Sequence, residues 1–119
     1  WQPWGGQTYD PFDSMIDWVR KEDGTFEYGF EVFDRYVAFA ATCGYGNARI
    51  HCYSMAPWSS RVRYRNAVTG DFHFIHAVPG EQDYANLWGP FLKAFAAHLD
   101  EKGWLERTSI AMDERPLPI

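Results

Sequence analysis

Between Tyr84 and Leu99, apolar side chains recur at i, i+3, i+4, i+7, i+8, i+11, i+12 and i+15: Tyr84, Leu87, Trp88, Phe91, Leu92, Phe95, Ala96 and Leu99. That period traces one continuous face of an α-helix. The spacing predicts a helix over residues 81–102, and a face this long must be laid on other structure. Gly89-Pro90 falls inside the stripe and is expected to kink it. Gly103 followed by Trp104 reads as a glycine cap with an apolar residue behind it.

The rest of the chain supplies what the helix can cover. Trp1 to Asp10 has no periodicity and reads as a loop; Asp10 before Pro11 suggests a short helix or turn reaching Trp18. Lys21 to Thr25 is a polar turn. A second helix is predicted over residues 30–42 from Phe30, Phe33, Tyr36, Val37, Ala40 and Ala41, with Gly44 and Gly46 ending it. Residues 48–55 read as a short buried strand, and 108–112 as another. Between them, 61–65 and 72–77 form the arms of a hairpin closed through Gly70. Arg61, Arg63 and Arg65 share one face of that hairpin, which fits a solvated strand face; contact with an anionic substrate group is the alternative reading.

The order is helix, strand, hairpin, long helix, strand. Strands separated by a helix become parallel neighbours in a right-handed crossover. The fold class expected is α/β: about half of a (β/α)8 barrel of the TIM type, with a β-hairpin insertion. A closed barrel takes roughly 250 residues, so 119 residues would be a fragment that pairs with the rest of the barrel or with another copy of the chain. A small open α/β sheet that completes itself by self-association is the alternative. The start at Trp1, with neither an initiating Met nor a signal peptide, reads as a beginning inside a longer gene product.

Charge and composition narrow the function. A net charge of −5 argues against nucleic acid, which needs clustered Lys and Arg. No apolar run reaches the length of a membrane span. Cys43 and Cys52 are too few for a disulfide framework and sit in apolar runs, so buried free thiols are expected. Six Trp, seven Tyr and nine Phe are more rings than a core of this size needs, which suggests a surface that stacks flat ligands such as sugars; a large aromatic core or an interface is the plain alternative. His73 and His76 are spaced by three on a strand, on opposite faces and without a third ligand nearby, so no metal site is expected. His51 reads as a satisfied core histidine, and His98 as a residue favouring the end of the long helix.

In α/β folds the ligand lies beyond the C-terminal ends of the strands. Two segments fall there: Tyr53-Ser54-Met55-Ala56-Pro57-Trp58, and Asp113-Glu114-Arg115-Pro116. Adjacent carboxylates raise each other's pKa, which keeps one protonated and fit to donate to a leaving oxygen. A solvated turn with an Asp–Arg pair is the plain alternative. At these residues the chain resembles glycoside hydrolase family 123. The run Thr108-Ser109-Ile110-Ala111-Met112-Asp113-Glu114-Arg115-Pro116 is similar to that family's catalytic strand. Trp4-Gly5-Gly6-Gln7-Thr8-Tyr9-Asp10-Pro11-Phe12, Phe33-Asp34-Arg35-Tyr36-Val37 and Cys52 to Trp58 extend the likeness. It covers nearly the whole chain but only the middle of the family's catalytic domain; the remaining strands and a preceding β-sandwich domain are not in these residues.

The resemblance implies a glycosidase that removes β-linked N-acetylhexosamine, with N-acetylgalactosamine the expected sugar, from a glycan or glycolipid. The mechanism it implies is substrate-assisted, since neighbouring Asp and Glu cannot straddle a sugar as nucleophile and acid usually do. Glu114 would be the general acid and base, and Asp113 the group that orients the 2-acetamido arm. No cofactor is implied. Trp4, Tyr9, Tyr53, Trp58 and Arg115 are the expected substrate contacts, with packing of the aromatic residues against neighbouring loops as the alternative. Rival readings are an inactive barrel fragment and a self-associating carbohydrate-binding or interaction domain. The helical face at 84–99 argues against a binding module, because such modules are usually β-sandwiches. The cellular compartment stays open; a secreted or periplasmic place in a bacterium comes with the resemblance alone.

Overall fold

The structure, a computed structural model, describes residues 14–53 and 61–111. The long stripe is a single helix, which we label α2, Gln82–Glu101, and it buries Leu87, Trp88, Phe91, Phe95 and Leu99. Each such side chain contributes about 1.5–3 kcal/mol of transfer free energy. The helix is not broken at Pro90, which lies inside it on the exposed side. The Asn86 carbonyl, freed because Pro90 has no N–H, also lies on the exposed side, where water can satisfy it. Gly89 has no Cβ to meet the proline ring, which makes a helical residue at this place tolerable.

The helix ends as the sequence predicts. Gly103 takes a φ of 72°. Its N–H donates to the Asp100 carbonyl at 2.9 Å and the Trp104 N–H to the Leu99 carbonyl at 2.8 Å. These two bonds make a Schellman motif. Trp104 then packs edge-on against Phe33, 6.2 Å between ring centroids.

What α2 covers is a four-stranded sheet in the order β2-β1-β4-β5. Its strands are β1 Asp17–Arg20, β2 Phe26–Gly29, β4 Arg61–Asn66 and β5 Phe72–His76. Here the expected helix or turn reaching Trp18 is corrected. Ile16 and Trp18 alternate inward, as do Phe26 and Tyr28, and β1 and β2 form an antiparallel hairpin across the Lys21–Thr25 turn. Gly24 in that turn has φ 83°. Asp23 accepts from the Thr25 N–H and hydroxyl, which lowers its carboxyl pKa. The second predicted hairpin is present as β4–β5, closed through Gly70 at φ 77°. It is not a free excursion: β4 lies parallel to β1, and the Ala67 N–H donates to the Arg20 carbonyl at 2.9 Å.

Helix α1, Glu31–Ala40, runs into a π-helical turn, Ala41–Tyr45, and the chain reverses at Gly44 with φ 95°. Its buried residues are Phe33 and Val37. Tyr36, placed on the buried stripe by the sequence pattern, is 58% exposed, and Phe39 is 66% exposed. The reason is angular: Phe33 and Val37 lie one turn apart on one line, and Tyr36 lies to the side of it. Asp34, in the first turn of α1, ties this helix to the last turn of α2. The His98 Nε2–H donates to Asp34 at 2.6 Å, and Lys102 Nζ lies 3.3 Å from the other carboxylate oxygen. A carboxylate at a helix start and donors at a helix end both suit the helix dipoles.

Two predictions test this packing. Gly103→Ala meets no described residue within 4 Å of the added Cβ, so its expected cost is conformational, ~1 kcal/mol; a lowered denaturation midpoint at unchanged slope is expected. Among the described residues the buried Tyr28 hydroxyl has no hydrogen-bond partner, while the Tyr28 ring packs edge-on to Trp18 and Phe91. Tyr28→Phe should therefore raise stability by ~1 kcal/mol rather than lower it; a fall in the midpoint would show that the hydroxyl has a partner.

Candidate active site

The remaining two strands, β3 Ile50–Tyr53 and β6 Thr108–Ala111, form a separate parallel pair. Ile50 stands beside Thr108, His51 beside Ser109, Cys52 beside Ile110 and Tyr53 beside Ala111. Both strands therefore end at the same level and point the same way. The sequence predicts strands at 48–55 and 108–112 in one sheet, and within the described residues the pairing found is that one, with the first strand starting at Ile50. The β3–β6 pair is parallel because the chain between its strands includes α2, which carries it back to the starting end.

Tyr53 is the last residue of β3, and only its backbone is described. Asp113 and Glu114 begin two residues beyond Ala111. Asp113, Glu114, Arg115, Trp4, Tyr9 and Trp58 all lie outside the described residues.

The described part of the pair has two chemically different faces. Ile50 and Cys52 pack toward the core. Burial pushes the Cys52 thiol pKa up, so it stays protonated at neutral pH and is no candidate nucleophile. Cys43, expected to be buried, is exposed in the π-helical turn after α1; both cysteines are free. On the opposite face, His51 Nδ1 and Ser109 Oγ are hydrogen-bonded at 2.7 Å. His51 is exposed, not the core histidine that its place in an apolar run suggests. The signal was the alternation Ile50, His51, Cys52, in which the residue between two core-facing neighbours leaves the core. At the starting end of the pair, Arg107 donates to the Ala48 carbonyl at 2.7 Å.

The other histidines and the arginines settle elsewhere. His73 lies beside the Tyr64 ring on one face of β5, and His76 falls on the other, opposite Arg61. On the outer face of the β4–β5 hairpin, the Arg61 and Arg63 guanidinium groups lie over Phe74 and Phe72, at 4.7 and 4.4 Å from the ring centroids. Arg65 pairs with Asp17 at 3.3 Å. A cavity of about 470 Å³ adjoins this region, lined by residues that include Asp17, Glu31, Arg63 and Phe72. It belongs to the four-stranded sheet, not to the ends of β3 and β6. Among the described residues no helix is long and apolar enough to cross a membrane.

Comparison with known proteins agrees with the motif at the end of β6. The model of the glycoside hydrolase 123 catalytic domain matches residues 1–118. A solved structure, described as a family 123 glycoside hydrolase from Clostridium perfringens studied for glycolipid glycan hydrolysis, is 38% identical, with a TM-score of 0.86 over 94% of this chain. The chain spans 20% of that protein's length. No curated protein matches it. With a family match over nearly every residue and a fold shared at this identity, the chain belongs to the glycoside hydrolase 123 catalytic domain family.

Proposed function

We propose that this chain is part of a catalytic barrel that hydrolyses β-linked N-acetylhexosaminides, with N-acetylgalactosamine the preferred sugar, on a glycan or glycolipid. The observation that carries the reading is the in-register parallel pairing of β3 with β6. It sends the segment bearing Trp58 and the segment bearing Asp113 and Glu114 off the same end of one sheet, the end where ligands bind in folds of this kind. Family membership supplies the reaction class, and the glycolipid activity named for the Clostridium perfringens relative supports the substrate class. A partial (β/α)8 barrel remains our reading of the architecture: β3 and β6 supply two of its strands, and further units of the same enzyme supply the rest.

The chemistry follows from two adjacent carboxyl groups. They cannot stand on opposite faces of a sugar ring, so one of them does not serve as nucleophile while the other serves as acid. In a 2-acetamido sugar the carbonyl oxygen attacks the anomeric carbon as the glycosidic C–O bond breaks, giving an oxazolinium ion. Glu114 donates its proton to the departing oxygen. Asp113 accepts from the acetamido N–H, which orients the carbonyl and stabilises the positive charge that develops. Water then opens the ring as Glu114 takes back a proton, and the anomeric configuration is retained. Trp4, Tyr9, Tyr53 and Trp58 offer rings for the apolar face of the sugar, and Arg115 a donor for its hydroxyls.

The full-length enzyme tests this with aryl β-N-acetylgalactosaminides. Glu114→Gln should lose about 10²–10⁴-fold in kcat where the leaving group is poor, and far less where it is acidic and leaves without a proton. Asp113→Asn should be impaired on both. A thiazoline analogue of the cyclised intermediate should bind more tightly than the product sugar. Near-normal turnover by Asp113→Asn, or equal cleavage of sugars lacking the acetamido group, would overturn the mechanism.

A further inference from the structure

We propose that His51 and Ser109 form a cross-strand clamp that holds β3 and β6 in register, which makes His51 a positioning residue for the two segments beyond them; its functional half rests on the reading above. The pair of strands needs such a device. Each has four described residues, so few ladder bonds there fix how one strand lies against the other. Parallel ladders are also slightly weaker per residue than antiparallel ones. A slip of one residue would displace one strand end against the other by about 3.3 Å and turn its side chains to the opposite face. Misplacement by even 1 Å can cost about 10²-fold in rate when a catalytic group must meet a substrate held by another segment.

Among the described residues, two side-chain ties cross the pair. Arg107 reaches the Ala48 carbonyl near the starts of the strands. His51 and Ser109 meet further along, directly opposite each other in the ladder, with Nδ1 and Oγ 2.7 Å apart. The second tie reads the register: after a one-residue slip, His51 would face Thr108 or Ile110, whose side chains leave the other face of the sheet. It also lies on the face away from the helices, since Ile50 and Cys52 make the core contacts. Helix packing therefore does not account for it.

The chemistry of the bond suits a fixed clamp and not a switch. A serine hydroxyl can donate or accept, so it satisfies Nδ1 in either neutral tautomer and in the imidazolium. An Asn at position 51 carries an amide donor and acceptor near the place of Nδ1 and can replace it.

The full-length enzyme decides the matter with His51→Ala, Ser109→Ala, the double variant and His51→Asn. Each single alanine variant should lower kcat on a poor-leaving-group aryl β-N-acetylgalactosaminide by about ten- to a hundredfold, with KM changed by less than about threefold. The double variant should be no worse than either single one. His51→Asn should stay within about threefold of wild type, with an unchanged pH profile. Hydrogen exchange should speed up in residues 50–53 and 108–111 together in both alanine variants. Additive losses, wild-type kcat in Ser109→Ala, or no rescue by Asn would overturn the positioning role. If the wild-type enzyme leaves the acetamido substrate intact, the functional reading fails separately. Exchange in the two strands then decides the clamp, and unchanged protection in Ser109→Ala would overturn it.

Discussion

The contact of Trp18 with α2 joins the main elements of the fold. Trp18 is 2% exposed. It stacks on Phe91 at 4.8 Å and meets Trp88 edge-on at 5.3 Å. On its other sides it meets Phe26 and Tyr28 edge-on. One ring thus bonds the middle of α2 to the β1–β2 hairpin. Aromatic pairs of this geometry contribute about 0.5–1.5 kcal/mol each beyond area burial. The chain of rings continues through Phe91 to Phe95, then to Phe30 and Phe33, and reaches Trp104 beyond the end of α2. Much of the aromatic content is therefore core, which was one of the two readings that composition left open.

From that contact the placement of β6 follows. With α2 seated on the four-stranded sheet, the Schellman bonds at Gly103 fix how the chain leaves the helix, and Asp34 fixes the helix end against α1. Residues 105–107 form a single 3₁₀ turn before β6 begins. Little slack remains between the buried helix and the strand. On the proposed function, this rigid path carries the Asp113–Glu114 pair to the sugar, as a substrate-assisted mechanism requires: its two carboxyl groups do distinct jobs on one acetamido arm and gain from fixed orientation.

The two sheets divide the labour in chemical terms. The four-stranded sheet uses its inner face for the aromatic core and turns arginines and phenylalanines outward in cation–π pairs. The β3–β6 pair keeps apolar residues toward the core and a polar tie on the other face. On the proposed function, a face of that second kind, next to strand ends followed by acidic and aromatic segments, suits the interior of a sugar-binding barrel.

The sequence by itself determined both helices, both predicted strands of the parallel pair, the β4–β5 hairpin and the glycine stops, because each is encoded by local periodicity or by a backbone conformation that only glycine adopts without strain. The motif at residues 108–116 also carried the family, since its order of residue types is local. Tertiary structure alone decided the rest. Strand β1 was hidden because Ile16 and Trp18 give only one alternation after a proline-rich start, and β1 is stabilised by pairing with β2 and β4, distant in sequence. Tyr36 left the buried stripe because which side of α1 is covered depends on where α2 and Trp104 lie. Cys43 is exposed for the same reason. The place of His51 opposite Ser109 depends on a register between residues 58 positions apart, and no local pattern encodes a register; only the packing of α2 onto the sheet brings those two strands together.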